Sequence, residues 1–349
     1  IISGIQQVGI GVSNLEEAWA WYREHFRMDI PIFQDDGEAP FMTAYTGNTI
    51  QKRSAVLAAN LQGGGAFEIW QYTSRTPTGP DSEPRLGDLG IFAARIKSPD
   101  VGDAYRFFEN KKAGQISPSS QDPAGKKHFY LQDPFGNYFN IVPATDWFTK
   151  PNHVTGGVSG VIIGVSDIDT SLPLYQTVLG YDSIEYDSTG VFSDFAHIPG
   201  GDKRVRRVLI SHSLPRRGAF SHLLGFTSIE LVQSLDETPK KILEGRYWGD
   251  LGFIHLCFDI RGMETLREQC AKYGYPFVVD SNDSFDMGEA SGRFTYIEDS
   301  DGTLIEFVET HKMPLLKKIG WYINLDKRDP AQPLPDFLLK ALSLTRVKD

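Results

Sequence analysis

Apolar and polar positions alternate at the start of the chain and then change period. In "QQVGIGVSNLEEAWAWYREHFRMD" (6–29), Val8, Ile10 and Val12 alternate with Gln7, Gly9 and Gly11. This predicts a strand with one apolar face and one small, polar face, followed by a turn and an amphipathic helix. "SGVIIGVSDIDTSLPLYQTVLGYD" (159–182) repeats the pattern without a gap: "GVSN" (11–14) matches "GVSD" (164–167), and Tyr22 matches Tyr175. Each unit later ends in a short strand with an inner glutamate, "AFEIWQY" (66–72) and "TSIELVQ" (227–233). In the first of these, Phe67 and Ile69 oppose Glu68, and Trp70 falls on the glutamate side.

A second pair of units interleaves with the first. "GDLGIFAARI" (87–96) and "GDLGFIHLCFDI" (249–260) lead into the helical stretches "VGDAYRFFENKK" and "METLREQCAKYG". Both close with a strand, a DxxG turn and a strand, "FYLQDPFGNYFNIV" (129–142) and "TYIEDSDGTLIEFV" (295–308). Within 252–260, alternation puts Ile254, Leu256, Phe258 and Ile260 on the apolar face and His255, Cys257 and Asp259 on the other. A lone histidine in an apolar run is by default a core residue bonded to a carbonyl. Here the count turns His255 toward the same kind of face as Gln7. In the closing strand Glu306 opposes Ile305 and Phe307 in the same way.

The chain therefore reads as four strand–helix–strands modules in the order A, B, A′, B′. The expected organisation is a first domain over 1–147 (modules 1–72 and 86–145) and a second over 156–312 (modules 156–235 and 248–312). A C-terminal extension, 313–349, carries a helix in "PDFLLKALSLTRVKD" and has no counterpart in the repeat. The linkers "TSRTPTGPDSEPR" (73–85) and "PATDWFTKPNHVTGG" (143–157) have the proline, glycine and polar content of connections.

Composition narrows the partners. The chain has 349 residues, 40% hydrophobic and 23% charged, enough for two cores of ordinary soluble type. A net charge of −10 argues against nucleic acid or an anionic membrane as partner, because either would repel it. No apolar run reaches the length of about 20 residues that a membrane span needs. The two cysteines, Cys257 and Cys270, form no CxxC motif, so a reducing, cytoplasmic setting is the simplest expectation. The chain starts at Ile1, which leaves room for a removed leader.

Four βαβββ modules with "GVSNLEEAWAWY" openings and "DSDGTLIEFVE" endings resemble the vicinal oxygen chelate superfamily. The resemblance covers most of the chain. It implies an α+β fold of four βαβββ modules in two tandem domains of the glyoxalase, bleomycin-resistance and dihydroxybiphenyl-dioxygenase type. It also implies metal-ligand positions in the first and last strand of each module. Carried over, the A-type modules present Gln7 and Glu68, then Gly160 and Glu230. The B-type modules present Ile91 or Ala93 with Asn140, then His255 and Glu306.

Two ways of pairing modules follow from the resemblance. Pairing the third with the fourth gathers Glu230, His255 and Glu306. Pairing the first with the last gathers Gln7, Glu68, His255 and Glu306, and leaves Asn140 and Glu230 in a second cleft with an incomplete set. The crossed pairing concentrates the good ligands. One imidazole, two carboxylates and an amide suit a divalent ion, zinc first, then nickel, cobalt, manganese or iron.

The resemblance then implies a metal-dependent, glyoxalase-like lyase or isomerase that stabilises an enediolate-type intermediate of a small molecule with vicinal oxygens. Glu306 is the expected base and Glu68 its counterpart. The positions that would hold glutathione carry Gly11, Leu251 and Tyr72 instead of arginine, arginine and asparagine, so a substrate other than a glutathione adduct is expected.

An extradiol-type dioxygenase is the alternative. It needs two histidines and a carboxylate, but Gly160 stands at the first histidine position, so His197, His212 or His222 would have to enter from a loop. A non-catalytic small-molecule-binding protein is a third reading, supported by the incomplete second cleft. The remaining histidines, including His25, His128, His153 and His311, match no ligand position and default to surface or loop roles. Arg53 and Arg293 lie near the cleft strands, where solvated positions are the default. With four modules fused in one chain, a monomer or homodimer is expected.

Overall fold

A computed structural model describes residues 1–282, 285–287, 290–316 and 321–348. Its strands form two large sheets, and each sheet takes strands from modules that are not neighbours in the order 1+2 or 3+4. The first sheet runs Val279–Asp280, Ala290–Glu298, Leu304–Leu316, Gly252–Ile260, Ile2–Gly11, Ala66–Tyr72, Lys52–Ala59 and Ile30–Glu38, so it joins the first module to the fourth. The second joins the second module to the third through Gly90–Ser98 and Val158–Gly164. In every module the first strand lies parallel to the last, as Ile2–Gly11 does to Ala66–Tyr72. The modules then meet through antiparallel first strands.

Three of the helices begin at a side-chain cap, two of them in the repeated motif. The side chains of Asn14, Asp100 and Asp167 accept from the backbone N–H three residues on, closing the first turn of the helices at Leu15–Phe26, Val101–Lys111 and Ile168–Pro173. One continuous core lies behind both sheets. Val8, Ile10, Phe67, Ile69, Leu256, Phe258, Ile305 and Phe307 all belong to it, together with Tyr22 and Phe26 of the first helix. The matched tyrosines bind sequence neighbours together. Tyr22 donates to Asp133 Oδ2 (2.7 Å) and Tyr175 to Asp299 Oδ2 (2.9 Å). Both aspartates open DxxG turns and accept two backbone N–H groups through Oδ1. Modules 1 and 2, and likewise 3 and 4, are thus tied through helix-to-turn contacts, while the sheets pair 1 with 4 and 2 with 3.

One strand departs from simple alternation. Gly9 pairs with His255 and Ile10 with Phe253, so Ile254 is an extra residue in a β-bulge. Phe253, not Ile254, enters the main core, and Ile254 packs with Trp70, Trp248 and Tyr296 on the opposite side. From Glu306 onward the last strand runs on to Leu316 and pairs with Trp321–Asn324; a short helix, Asp336–Lys340, follows, and residues 317–320 and 349 of the extension lie outside those described. Among the described residues, no helix is long and apolar enough to cross a membrane.

Candidate metal centre

The strands Leu304–Leu316, Gly252–Ile260, Ile2–Gly11 and Ala66–Tyr72 lie side by side in the middle of the first sheet. Register fixes what they present. Glu306 pairs with Cys257 and Cys257 with Gln7; one step along, His255 and Glu68 both pair with Gly9. Paired residues project to the same face, so Gln7, Glu68, His255 and Glu306 share one patch. Gln7 Nε2 donates to Glu68 Oε2 (3.2 Å) and Glu306 Oε2 (3.3 Å). His255 Nε2 stands 3.3 Å from Glu68 Oε2 and 3.1 Å from Glu306 Oε2. The ligand atoms of Glu68, His255 and Glu306 all lie within 4.8 Å of one another, the one such group found among the described residues.

The patch is buried and short of partners. His255 is 0% exposed, and neither of its ring nitrogens makes a well-aligned hydrogen bond; Gln7 Oε1 is likewise buried without a donor. Such orphaned atoms carry a desolvation cost in a closed protein. Burial alone would lower the His255 pKa, but Glu306 and Glu68 outweigh it and raise it to about 10. For Glu306 burial pushes upward, and His255, Tyr296 and Cys257 bring the carboxyl below its ordinary value. Cys257 stays a thiol, pushed up by burial and by Glu306.

These residues fit a divalent cation. Two carboxylate oxygens and an imidazole nitrogen converge, and exchanging the two ends of the Gln7 amide, which have nearly the same shape, would turn its orphaned oxygen to the same point. His255 is fixed by what surrounds it. Trp248 lies parallel to the ring at 6.1 Å and Tyr296 meets it edge-on at 5.5 Å. Gly9 lies against it: a Cβ there would fall 2.5 Å from His255 Cε1. Gly9, Trp248, Tyr296 and Cys257 are parts of the site that motif matching passed over, although alternation had already put Gly9 and Cys257 on this face.

The second cleft is built differently. Glu230 is 1% exposed and accepts from Arg207 Nε (2.6 Å) and from Tyr186 (2.8 Å). Arg207, also 1% exposed, donates to Asp194 as well, and Asp194 bonds His128, whose other nitrogen meets Asn140. Arg95 reaches Asn140 and Ser228. Burial would raise the Glu230 pKa, but Arg207 and Arg95 hold it below its ordinary value. The cleft with the incomplete ligand set is therefore occupied by its own buried ion network. His128 is a buried part of that network, not a surface residue, and His25 is buried against Trp21. Glu230 lies in the other sheet from His255 and Glu306, so the set from pairing modules 3 and 4 is not assembled. The Cβ of any larger residue at Gly160 would stand 1.6 Å from the Ser228 carbonyl oxygen.

Repeat matching isolates the difference between the clefts. Leu57 pairs with Glu68 and Leu209 with Glu230; two residues before each stand Ala55 and Arg207. Where the second cleft carries a guanidinium, the first carries a methyl group. Two of the three positions that would hold glutathione, Gly11 and Tyr72, are structural here. A Cβ at Gly11 would meet the Asp250 carbonyl oxygen at 1.9 Å, and Tyr72 donates to the Trp248 carbonyl. Arg293 is paired with Asp280 and Glu264, whereas Arg53 lines the cavity over the cluster.

No protein-family model matches the chain, and neither does any curated protein. Solved structures do. A candidate dioxygenase from Bacillus subtilis subsp. subtilis str. 168 is 13% identical with a TM-score of 0.54, over 88% of this chain and 85% of that one. Glyoxalase I from Zea mays is 13% identical with a TM-score of 0.52, over 88% of this chain and 92% of that one. At such identity the likeness speaks for the fold. The chain has the α+β vicinal oxygen chelate fold, with βαβββ modules in tandem as in the glyoxalase I and dioxygenase structures.

Proposed function

We propose that the chain is a divalent-metal-dependent, glyoxalase-like isomerase or lyase acting on a small molecule with vicinal oxygens. One observation carries this reading. The buried carboxylates of the second cleft are bonded by a fixed cation, Arg207, whereas among the described residues Glu68 and Glu306 meet no fixed cation, only the titratable His255 and the neutral Gln7 amide, with Tyr296 and Cys257 beside Glu306. A buried and a half-buried carboxylate side by side need a compensating cation.

Gln7, Glu68, His255 and Glu306 would hold the ion, with zinc the first expectation and nickel, cobalt, manganese and iron behind it. When bound, such an ion supplies Lewis-acid stabilisation of negative charge on two neighbouring substrate oxygens. Glu306 acts as base: it takes the proton from the carbon beside a carbonyl, and the C–H electron pair moves to the carbonyl oxygen to give an enediolate of the substrate. Glu68, across the cluster and 13% exposed at its side chain, takes the hydroxyl proton of the intermediate and delivers it to the former carbonyl carbon, while Glu306 passes its proton to the oxygen on that carbon, so both carboxylates are restored. No oxidant or reductant is consumed. A dioxygenase is less well supported, because His255 is the one imidazole in the cluster among the described residues.

The test is metal content of the wild type and Glu306→Ala after purification in metal-replete buffer, with deuterium exchange at the α-carbon of an α-hydroxyketone as the second readout. Stoichiometric metal in the wild type, its loss in Glu306→Ala and exchange that needs Glu306 are expected. A metal-free wild type, or oxygen-dependent turnover of a catechol by an iron form, overturns the reading.

A further inference from the structure

The cavity over the cluster has a volume of 410 Å³ and opens from Glu68 and Glu306 between the walls of the curled sheet. That lies within the range of small-molecule sites and leaves most of the space unfilled by a triose-sized compound. Its walls are apolar and aromatic, with Phe33, Phe41, Met42, Trp70, Phe294 and Tyr296 around the cluster. Met313, Leu223 and Leu342 also line it. Leu342 belongs to the C-terminal extension, which has no counterpart in the repeat, and is buried with Met313, Leu223 and Leu57 in a separate apolar cluster.

Charge in the cavity is one-sided. Asp35, Glu38, Glu68 and Glu306 line it with a single basic side chain among the described residues, Arg53. That guanidinium is already engaged: it donates to Asp35 Oδ2 at 2.9 Å and lies over the Trp70 ring at 5.2 Å. The cavity thus offers a large apolar surface and, among the described residues, no unmatched cation for a carboxylate or phosphate.

We infer that the cavity takes an uncharged, predominantly apolar molecule with vicinal oxygens at the end nearest Glu68 and Glu306, and that Leu342 limits its size. The oxygen end rests on the proposed metal-dependent function; the apolar body rests on the cavity alone. Burying one further aromatic ring at an apolar wall is worth about a factor of ten in affinity.

Calorimetry on the full chain, with and without Mn(II), tests this with three probes: 1-phenyl-1,2-propanedione, methylglyoxal and N-phenyl-1-naphthylamine, which has an apolar body but no vicinal oxygens. With Mn(II) present, the aryl diketone is expected to bind about tenfold more tightly than methylglyoxal. The glutathione hemithioacetal of methylglyoxal is expected not to compete. Leu342→Trp, which fills the cavity, and Phe41→Ala, at the exposed rim, should each weaken both aryl probes several-fold with Mn(II) affinity unchanged. Equal binding of the hemithioacetal, or aryl affinities unmoved in both variants, overturns the inference. If Mn(II) does not bind but N-phenyl-1-naphthylamine does and both variants weaken it, the metal-dependent function falls and the apolar cavity stands. If Mn(II) binds and neither aryl probe does, the inference falls and the metal site stands.

Discussion

Gly9 gives the sharpest test of the metal centre, because it touches the histidine without contributing any chemistry. It lies on the central strand opposite both His255 and Glu68. A Cβ would stand 2.5 Å from His255 Cε1, 2.7 Å from Nδ1 and 3.0 Å from Nε2. Carbon atoms rest at about 3.5–4.0 Å, so Gly9→Ala must displace the ring by about 1 Å. Trp248 and Tyr296 box the ring in, which sets the stability cost at the usual level for overpacking, about 1–3 kcal/mol. A zinc–nitrogen bond tolerates an error of only about 0.2 Å, so displacement on this scale removes the imidazole from the coordination set. The expected loss in affinity for Zn(II), read by competition with a chromophoric chelator, is about 10- to 100-fold. Because the effect passes through the ring, it must vanish once the ring is gone. Gly9→Ala placed in a His255→Ala background should cost nothing further, in a double-mutant cycle of metal affinity. A wild-type affinity in Gly9→Ala, or additive losses in the double variant, would refute the reasoning.

Three further outcomes follow from the two clefts and the turn locks. Ala55→Arg puts into the first cleft the guanidinium that Arg207 supplies in the second; it should abolish Zn(II) uptake, measured by metal analysis, with the circular dichroism spectrum retained. Arg207→Ala strands Glu230 and Asp194, both buried, so chemical denaturation should show a loss of about 3–5 kcal/mol with metal affinity at the first cleft unaltered. Burial raises the Asp133 carboxyl from 3.8 to about 6 against the bonds from Tyr22 and Asn137. Its folded-state pKa is the higher one, so its contribution is fully present below the unfolded value and is lost as pH rises through 6. The wild type should lose about 2 kcal/mol relative to Asp133→Asn between pH 4 and 6.5 in denaturant titrations, and parallel pH profiles would contradict this.

Much of the arrangement is legible from local patterns, because strands have a period of two and the modules repeat. The "GVSN" and "GVSD" motifs mark the helix caps at Asn14 and Asp167, and the inner glutamates fall where alternation puts them. What escapes is set by contacts between modules. The bulge at Ile254 depends on the partner strand, and alternation counted along one strand cannot register an extra residue. Gly9 reads as a small cavity-facing residue, yet its smallness matters only because His255, almost two hundred and fifty residues away, packs on its Cα. The wall formed by Leu342 comes from outside the repeat, so no matched module announces it.

Arg207 was open to a sequence comparison at strand level, since "VRRVLIS" aligned on "KRSAVLAA" sets it against Ala55. That single exchange explains why equivalent glutamates have different fates. Glu230 meets a fixed guanidinium, and its cleft closes around an internal ion pair. Glu68 meets a methyl group, so charge compensation there falls to a proton on His255 or to an ion held between Glu68 and Glu306. The proton and the ion compete for the same imidazole nitrogen, because a ligating histidine must be neutral. With no ion bound, the carboxylates hold that proton up to about pH 10. The cleft is thereby kept in a charged state that a divalent cation can exchange into, whereas Arg207 cannot be exchanged out.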